Sequence, residues 1–196
     1  IGVRLVGSEM CIRDSISPYS YLAYKKIKIL KKNQNIIFKY KPILLGGLHN
    51  LQKITAPAFI KPKLEHMIND CALIAKKNNF DFMWNNKFPI NSLNIMRGCL
   101  LINDNELYLE VMFDAYWKDN LDTSNKKILK TLLEKCKINS ETFFEDIKNP
   151  KIKNELKSIT QEAYEKGIFG APTFLVSNKI FWGQDRLEFA LNEYHK

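Results

Sequence analysis

Between Gly167 and Leu187 the chain reads GIFGAPTFLVSNKIFWGQDRL, and this pattern constrains the fold more tightly than any other stretch. Gly170 and Pro172 punctuate its start, Thr173 to Ser177 alternates like a strand, and Ser177-Asn178 suits a tight turn into Lys179 to Trp182. A β-hairpin is expected. Gly183-Gln184-Asp185 then opens an amphipathic helix, with Leu187, Phe189, Ala190, Leu191 and Tyr194 on one face. The first amides of that helix lack intrahelical partners and lie beside the polar side chains of Gln184 and Asp185. Because most X-Pro bonds are trans, the segment alone is equally an ordinary hairpin behind an ordinary proline.

The chain has 196 residues and 45% hydrophobic content, enough for one good core or a core with an inserted subdomain. No run approaches the roughly 18 apolar residues of a membrane span. The first residues do not form a basic, apolar, small-residue signal peptide, so a cytoplasmic protein is expected. The net charge of +9 comes mostly from scattered lysines, such as Lys25, Lys26, Lys28, Lys31 and Lys32 on one early helix. These read as a solvated face. No nucleic-acid partner is expected, because arginine clusters interleaved with exposed aromatics are missing. Cys11, Cys71, Cys99 and Cys136 form no C-x-x-C and no metal spacing with His49, His66 or His195, which argues against a zinc site or a dithiol centre.

Leu5 to Ser15, LVGSEMCIRDS, resembles the translation of a transposon-type sequencing adapter, and residues 1–15 are accordingly read as foreign to the protein. The native reading then starts near Ile16. A first strand just before Ser17 is expected to be truncated or replaced by these foreign residues, with Val3 to Val6 as a stand-in.

From Ile16 the chain gives Ser17-Pro18, a helix from about Tyr19 to Lys32, and a β-rich run from Asn35 to Lys41 closed by Pro42. This order resembles the βαβ half of a thioredoxin-like unit, and the hairpin and last helix resemble its C-terminal half. Leu44 to Gly47 starts a loop, which Pro57 and Pro62 prolong before a helix from about Lys63 to Asn78. Residues Ser92 to Cys99, Asn105 to Trp117, Lys126 to Lys135, Ser140 to Ile147 and Pro150 to Lys166 carry apolar residues at helical spacing. The last of these ends on Gly167, a C-terminal stop. The expected architecture is an α/β thioredoxin-like fold with a helical insertion between the βαβ and ββα halves. Its thioredoxin-like part spans 16–56 and 167–196, and the insertion spans 57–166.

Ser17-Pro18 is a natural helix start, with serine as N-cap and proline at the first helical position. In thioredoxin-like proteins the attacking cysteine stands at this place. A hydroxyl there can hydrogen-bond an anionic sulfur, while the free amides and the helix dipole favour thiolate over thiol. Ser17 would then stabilise a thiolate brought by a ligand, or it would simply cap its helix. The Ala171-Pro172 backbone could pair with that ligand's cysteinyl residue, and Gln184 and Asp185 could hold its ammonium and carboxylate ends. These features together point to glutathione.

ISPYSYLA at Ile16 to Ala23, KPILLGG at Lys41 to Gly47, FPINSL at Phe88 to Leu93, and GIFGAPTF with FWGQDRL resemble the 2-hydroxychromene-2-carboxylate isomerase family. That family, with the kappa-class glutathione transferases, belongs to the DsbA-like branch of the thioredoxin superfamily. The resemblance implies Ser17 as the catalytic residue contacting the glutathione sulfur. It implies Ala171 as the backbone partner beside a cis Pro172, and Gly183, Gln184, Asp185 and Arg186 as the turn that holds glutathione. For the substrate it implies Asn91 at the mouth of an aromatic pocket and Lys63 in a Pro-Lys element like that of the kappa enzymes. Family members usually carry a Lys and then an Asn after the LLGG-like segment, where this chain has Asn50 as a substitute polar contact. Trp84, Phe88, Trp117 and Trp182 are either lining for an aromatic-acid pocket or core. Arg97, like Arg186, is a candidate to neutralise a substrate carboxylate.

The implied activity is glutathione-dependent isomerisation of an aromatic carboxylate in aromatic compound catabolism, through reversible thiolate addition, with no metal. A kappa-like glutathione transferase is the nearest alternative. A DsbA-like thiol oxidoreductase is disfavoured because Ser17 and Ser20 stand where a cysteine pair would, and a non-catalytic binding module is the remaining option. Dimers are common in the resembling families, which implies a homodimer.

Overall fold

The computed structural model describes residues 10–13, 17–33, 36, 38–102 and 106–196. A four-stranded sheet has the order β2-β1-β3-β4, formed by β1 (Met10–Arg13), β2 (Lys41–Pro42), β3 (Thr173–Val176) and β4 (Lys179–Trp182). β1 runs parallel to β2 and antiparallel to β3, and β3 pairs antiparallel with β4 in the register Thr173 to Trp182 through Val176 to Lys179. The strand that precedes Ser17 is therefore supplied by Met10–Arg13, inside the segment read as foreign. Val3 to Val6, the expected stand-in, lies outside the described residues.

The hairpin forms where its turn chemistry placed it. Ser177 and Asn178 both take left-handed angles, with φ of 50° and 63°, the combination that a two-residue turn of type I′ needs to match strand twist. Helix α1 (Pro18–Asn33) and the last helix, α9 (Leu187–Tyr194), bury Ala23, Ile27, Leu187, Ala190 and Leu191 against Phe174 and Val176 of β3. Phe189 does not join them. It is 57% exposed, and the guanidinium of Arg186 stacks over its ring at 5.6 Å.

Between β2 and β3 in sequence lie α2 (Leu45–Gln52), α3 (Lys61–Lys77), α4 (Leu93–Leu101), α5 (Glu106–Trp117), α6 (Lys126–Lys135), α7 (Ser140–Asp146) and α8 (Pro150–Glu165). Their largest cluster joins Ile95 and Met96 of α4, Tyr108 and Met112 of α5, Leu129, Leu132 and Leu133 of α6, Phe143 of α7 and Leu156 of α8. Asparagine starts three of these helices. The side chains of Asn125, Asn139 and Asn149 accept bonds from the backbone amides of Lys127, Glu141 and Lys151, satisfying donors that a helix start leaves free. At the far end of α8, Gly167 has φ of +78°, and its amide and that of Ile168 return to the carbonyls of Tyr164 and Ala163 at 2.9 and 3.0 Å. The Gly stop thereby closes the helix.

Three expectations are corrected. Of the run from Asn35 to Lys41, Asn35 and Ile37 lie outside the described residues; among the described ones the strand is confined to Lys41, continuing into Pro42, and pairs with β1 opposite Ile12 and Arg13, while Ile36 and Phe38 are buried without ladder pairing. β2 is an edge strand, where a proline costs no ladder bond. The expected loop at Leu44 to Gly47 is instead the start of α2, which runs through both glycines, buries Leu48 and His49, and ends on Lys53 at a left-handed φ of 57°. Tertiary contact overrides the weak helix propensity of Gly46 and Gly47.

The third correction concerns the lysines of α1. Lys32 is exposed as expected, but three others are not simply solvated: Lys25 pairs with Asp114 at 3.5 Å, Lys28 with Glu110 and Lys31 with Glu106. The acids come from α5 in reverse order, so an antiparallel ladder of ion pairs fastens α1 to the inserted helices. No helix among the described residues is long and apolar enough to cross a membrane.

Candidate active site

Ser17 is buried at the start of α1, held there by two of the bonds that cap a helix. Its Oγ accepts from the Ser20 amide at 3.3 Å, and its carbonyl accepts from the Tyr21 amide at 3.2 Å. Pro18 follows at the first helical position, where its lack of an N–H costs nothing. The Ser17 hydroxyl donates to the Ala171 carbonyl at 3.0 Å, across 154 residues of sequence. The Ala171–Pro172 peptide is cis. Thus the hydroxyl, the helix start and the backbone ahead of Pro172 meet at one point.

The loop around Pro172 is tied in from both sides. Thr173 Oγ1 donates to the Gly170 carbonyl at 2.7 Å, and the Gly183 amide donates to the Pro172 carbonyl at 3.0 Å. Gly170 is required by the approach of Trp182: a Cβ there would lie 2.5 Å from the indole Nε1. Gly183 has φ of +109°, and a Cβ would meet Asp185 Oδ1 at 2.5 Å. These two glycines let the hairpin fold back so that the turn at Gly183–Arg186 sits next to the Pro172 loop.

In that turn the four residues behave differently. Gln184 to Arg186 form a single 3-10 turn ahead of α9 instead of opening the α-helix directly. Gln184 is buried, and its side-chain Oε1 accepts from Lys26 Nζ, which also reaches the Gln184 carbonyl at 3.5 Å. Burial pushes the Lys26 ammonium below its usual range, opposed by the charges of Asp185 and Glu188. Asp185 and Arg186 are exposed and pair with each other at 2.9 Å. A cation and an anion are therefore presented outward, while Gln184 is anchored inward. Lys26 was missed among the surface lysines. Its position on the α1 face that also carries Ala23 and Ile27 was the available signal.

Other polar groups near the start of α1 point into the inserted helices. Tyr19 donates to Asp70 Oδ2 at 2.8 Å, and Tyr21 bonds with the Asp81 carbonyl at 2.9 Å and Asp114 Oδ1 at 3.0 Å. Burial first, and the neighbouring acids second, hold both phenols well above their usual range. Burial also pushes the Cys71 thiol up. A thiol so disposed stays protonated and is a poor nucleophile. Cys71, Cys99 and Cys136 are all free, and no group of His, Cys, Asp and Glu among the described residues could hold a metal.

The expected substrate residues are not joined to this centre by any hydrogen bond or ion pair among the described residues. Asn50 is exposed on α2, Lys63 is exposed in the first turn of α3, and the Asn91 side chain accepts from the Leu93 amide at 2.9 Å. Of the four aromatics, Trp84, Phe88 and Trp117 pack on one another with ring centroids 5.1 to 5.6 Å apart, and Trp117 is fully buried. Trp182 is separate from them, half-exposed against Phe169 at 4.9 Å. A second cis peptide, Phe88–Pro89, falls in the FPINSL segment and had no sequence signal beyond the proline itself.

Comparison with known proteins places this geometry. Residues 13–195 match the family model described as DSBA-like thioredoxin domain. The chain is 27% identical over 183 residues to a 2-hydroxychromene-2-carboxylate isomerase of Sphingobium xenophagum, covering 90% of this chain and 92% of that protein. It is 25% identical over 197 residues to the human glutathione S-transferase kappa 1, covering 89% of this chain and 85% of the relative. Among solved structures, a 2-hydroxychromene-2-carboxylate isomerase superposes with a TM-score of 0.84 at 20% identity, covering 93% of this chain and 91% of the other. At that identity the superposition shows the fold alone.

Proposed function

The chain belongs to the DSBA-like thioredoxin domain family, and from that premise we propose that it is a glutathione-dependent isomerase of the 2-hydroxychromene-2-carboxylate type, acting on an aromatic carboxylate. The observation that carries this reading is the bond from Ser17 Oγ to the Ala171 carbonyl. It sets a hydroxyl, and not a cysteine, at the helix start beside the Pro172 loop. The relatives named as isomerases and as a kappa transferase support an enzyme that works on or with a small molecule.

The residues present fit glutathione. Asp185 and Arg186 offer opposite charges on an exposed turn for its ammonium and carboxylate groups, and the Ala171 carbonyl, now held by Ser17, would be released to pair with its cysteinyl residue. When bound, glutathione supplies a thiolate that adds reversibly to an activated carbon and leaves again, with no net oxidation and no consumption. The protein's part is electrostatic. With the thiol bound, Ser17 would turn its hydroxyl from the Ala171 carbonyl to the sulfur, and the first amides of α1 would add their dipole, favouring thiolate over thiol. The buried surroundings of Ser17 strengthen that hydrogen bond by excluding water.

Incubation of the protein with glutathione and an equilibrating 2-hydroxychromene-2-carboxylate tests the reading. Interconversion of the isomers at constant total glutathione supports it. Steady accumulation of a conjugate would instead establish a transferase, and insulin reduction without either would establish a thiol oxidoreductase.

A further inference from the structure

A half-open cavity of about 410 Å³ lies between α2, α4 and α8. That is within the usual range for a small-molecule site. Neither Ser17, Ala171 nor the Gly183–Arg186 turn lines it. Its walls divide by chemistry. Leu44, Leu51, Leu93 and Leu156 give it an apolar floor, while Arg97, Lys153 and Lys157 stand around it and no carboxylate does.

Two neutral polar residues of the lining, Thr160 and Gln161, are already engaged. Thr160 Oγ1 donates to the Leu156 carbonyl at 2.8 Å and receives the Leu44 amide at 3.2 Å, and the Gln161 amide donates to Glu165 at 2.9 Å. Arg97 differs: its Nε is buried and has no hydrogen-bond partner among the described residues. An N–H withdrawn from water is costly unless an acceptor compensates it. The described residues offer Arg97 Nε none, whereas Lys25, Lys28 and Lys31 are each paired on α1.

We propose that the cavity between α2, α4 and α8 binds a monocarboxylate with a compact apolar body, the carboxylate on Arg97 and Lys157 and the body against Leu93 and Leu156. A planar fork meets a carboxylate with two parallel bonds, which a lone ammonium does not. The apolar floor discriminates against bare inorganic anions and the three cations against neutral apolar molecules. This site is independent of the thiol site and stands whether or not glutathione binds at Ser17.

Cyclohexanecarboxylate is a suitable probe, with cyclohexylmethanol as its neutral counterpart, read by methyl NMR on the full chain. The acid is expected to shift the Leu93 and Leu156 methyl signals saturably. Its affinity falls at least tenfold in Arg97→Gln and several-fold in Lys157→Gln, and the alcohol gives no saturable shift. Lys157 is exposed on α8, so its variant decides the matter if Arg97→Gln does not fold. Equal binding of the alcohol, unchanged affinity in Lys157→Gln, absence of saturation, or shifts confined to the Ala171 methyl would each overturn the proposal.

Discussion

One side of α1 meets the sheet and the Gly183–Arg186 turn, and the other meets the inserted helices; the two contacts are made of different materials. Toward the sheet, a few short polar bonds sit within apolar packing: Ser17 to Ala171 and Lys26 to Gln184, beside Ala23 and Ile27. Toward the insertion, Tyr21 packs tilted against Phe113 at 5.8 Å and Tyr24 stacks on it at 5.2 Å, and outside them runs the ladder of Lys25, Lys28 and Lys31 with the acids of α5. The first contact has almost no redundancy, and each bond there positions a group of the candidate site. The second is redundant and fixes the angle of one helix layer on the other. Loss of one bond should therefore register as chemistry on the sheet side and as stability, or hardly at all, on the insertion side.

The largest expected effect tests the sheet side. Ser17→Ala removes a hydrogen bond that on the proposed reading is made to a charged sulfur, worth about 1.5–3 kcal/mol. Turnover should fall by about one to two decades, with the pKa of bound glutathione raised by a similar number of units, read from thiolate absorbance against pH. Equal thiol pKa values in wild type and variant would sink the assigned role. The buried Ser17 also caps α1, so thermal stability should drop modestly in the same variant, by about 1 kcal/mol.

Tyr21→Phe tests the insertion side. Tyr21 is fully buried, and its hydroxyl joins α1 to the Asp81 carbonyl and to Asp114. Its loss should cost about 1–1.5 kcal/mol, a fall of roughly 3–5 °C in Tm, with the thiol pKa unmoved. The same residue sets an alkaline signature. Folded Tyr21 holds its proton above the ordinary value of 10.0, first through burial and then through the charge of Asp114. The unfolded phenol ionises above about pH 10 while the folded one does not, so this contribution is complete below pH 10 and declines as pH rises beyond it. Urea unfolding above pH 10 should show a slope shallower in Tyr21→Phe by up to about 1.4 kcal/mol per pH unit.

Lys26→Met returns to the sheet side with a smaller effect. It removes the donor that holds Gln184 inward and leaves the Gln184 amide oxygen buried and unpaired. Glutathione affinity should weaken by about fivefold, near 1 kcal/mol, through displacement of Asp185 and Arg186. If affinity were unchanged while stability fell, Lys26 would be structural and the distinction between the two sides of α1 would fail at this residue.

What was legible in the sequence follows the range over which each signal acts. The hairpin, the Ser17 cap and the Gly167 stop depend on neighbours a few residues away, so turn and capping chemistry located them. The helices from Leu93 to Glu165 were visible because their apolar period is local. α2 was hidden, since Gly46 and Gly47 argue locally for a loop and distant contacts, with α8 above all, stabilise the helix. The lysines of α1 looked like solvent-facing charges because their acids lie 75 to 89 residues further along. Arg97 could be named as an anion partner, but the cavity that gives it a separate role needs three helices assembled. Asn50, Lys63 and Asn91 came from resemblance alone, and none is joined by a bond to Ser17.

The ladder itself gives the smallest effect and the sharpest check on redundancy. Glu110→Gln removes one of three ion pairs whose side chains remain partly exposed, 33% for Lys28 and 37% for Glu110. Exposed pairs contribute about 0–1 kcal/mol because solvent screens them and ordering two long side chains costs entropy. Here the flanking pairs of Lys25 and Lys31 stay in place and α1 is still held by Tyr21 and Tyr24, so the loss should be at most about 0.5 kcal/mol. It should shrink further in high salt, where the Debye length falls to about 3 Å at 1 M. Replacing Glu106 and Glu110 together, with Asp114 kept because it also accepts from Tyr21, should cost no more than the sum of two such losses if the aromatic layer alone sets the helix angle. A loss well beyond that sum, or an accompanying shift in the thiol pKa, would mean that the two sides of α1 are coupled and that the insertion takes part in holding Ser17.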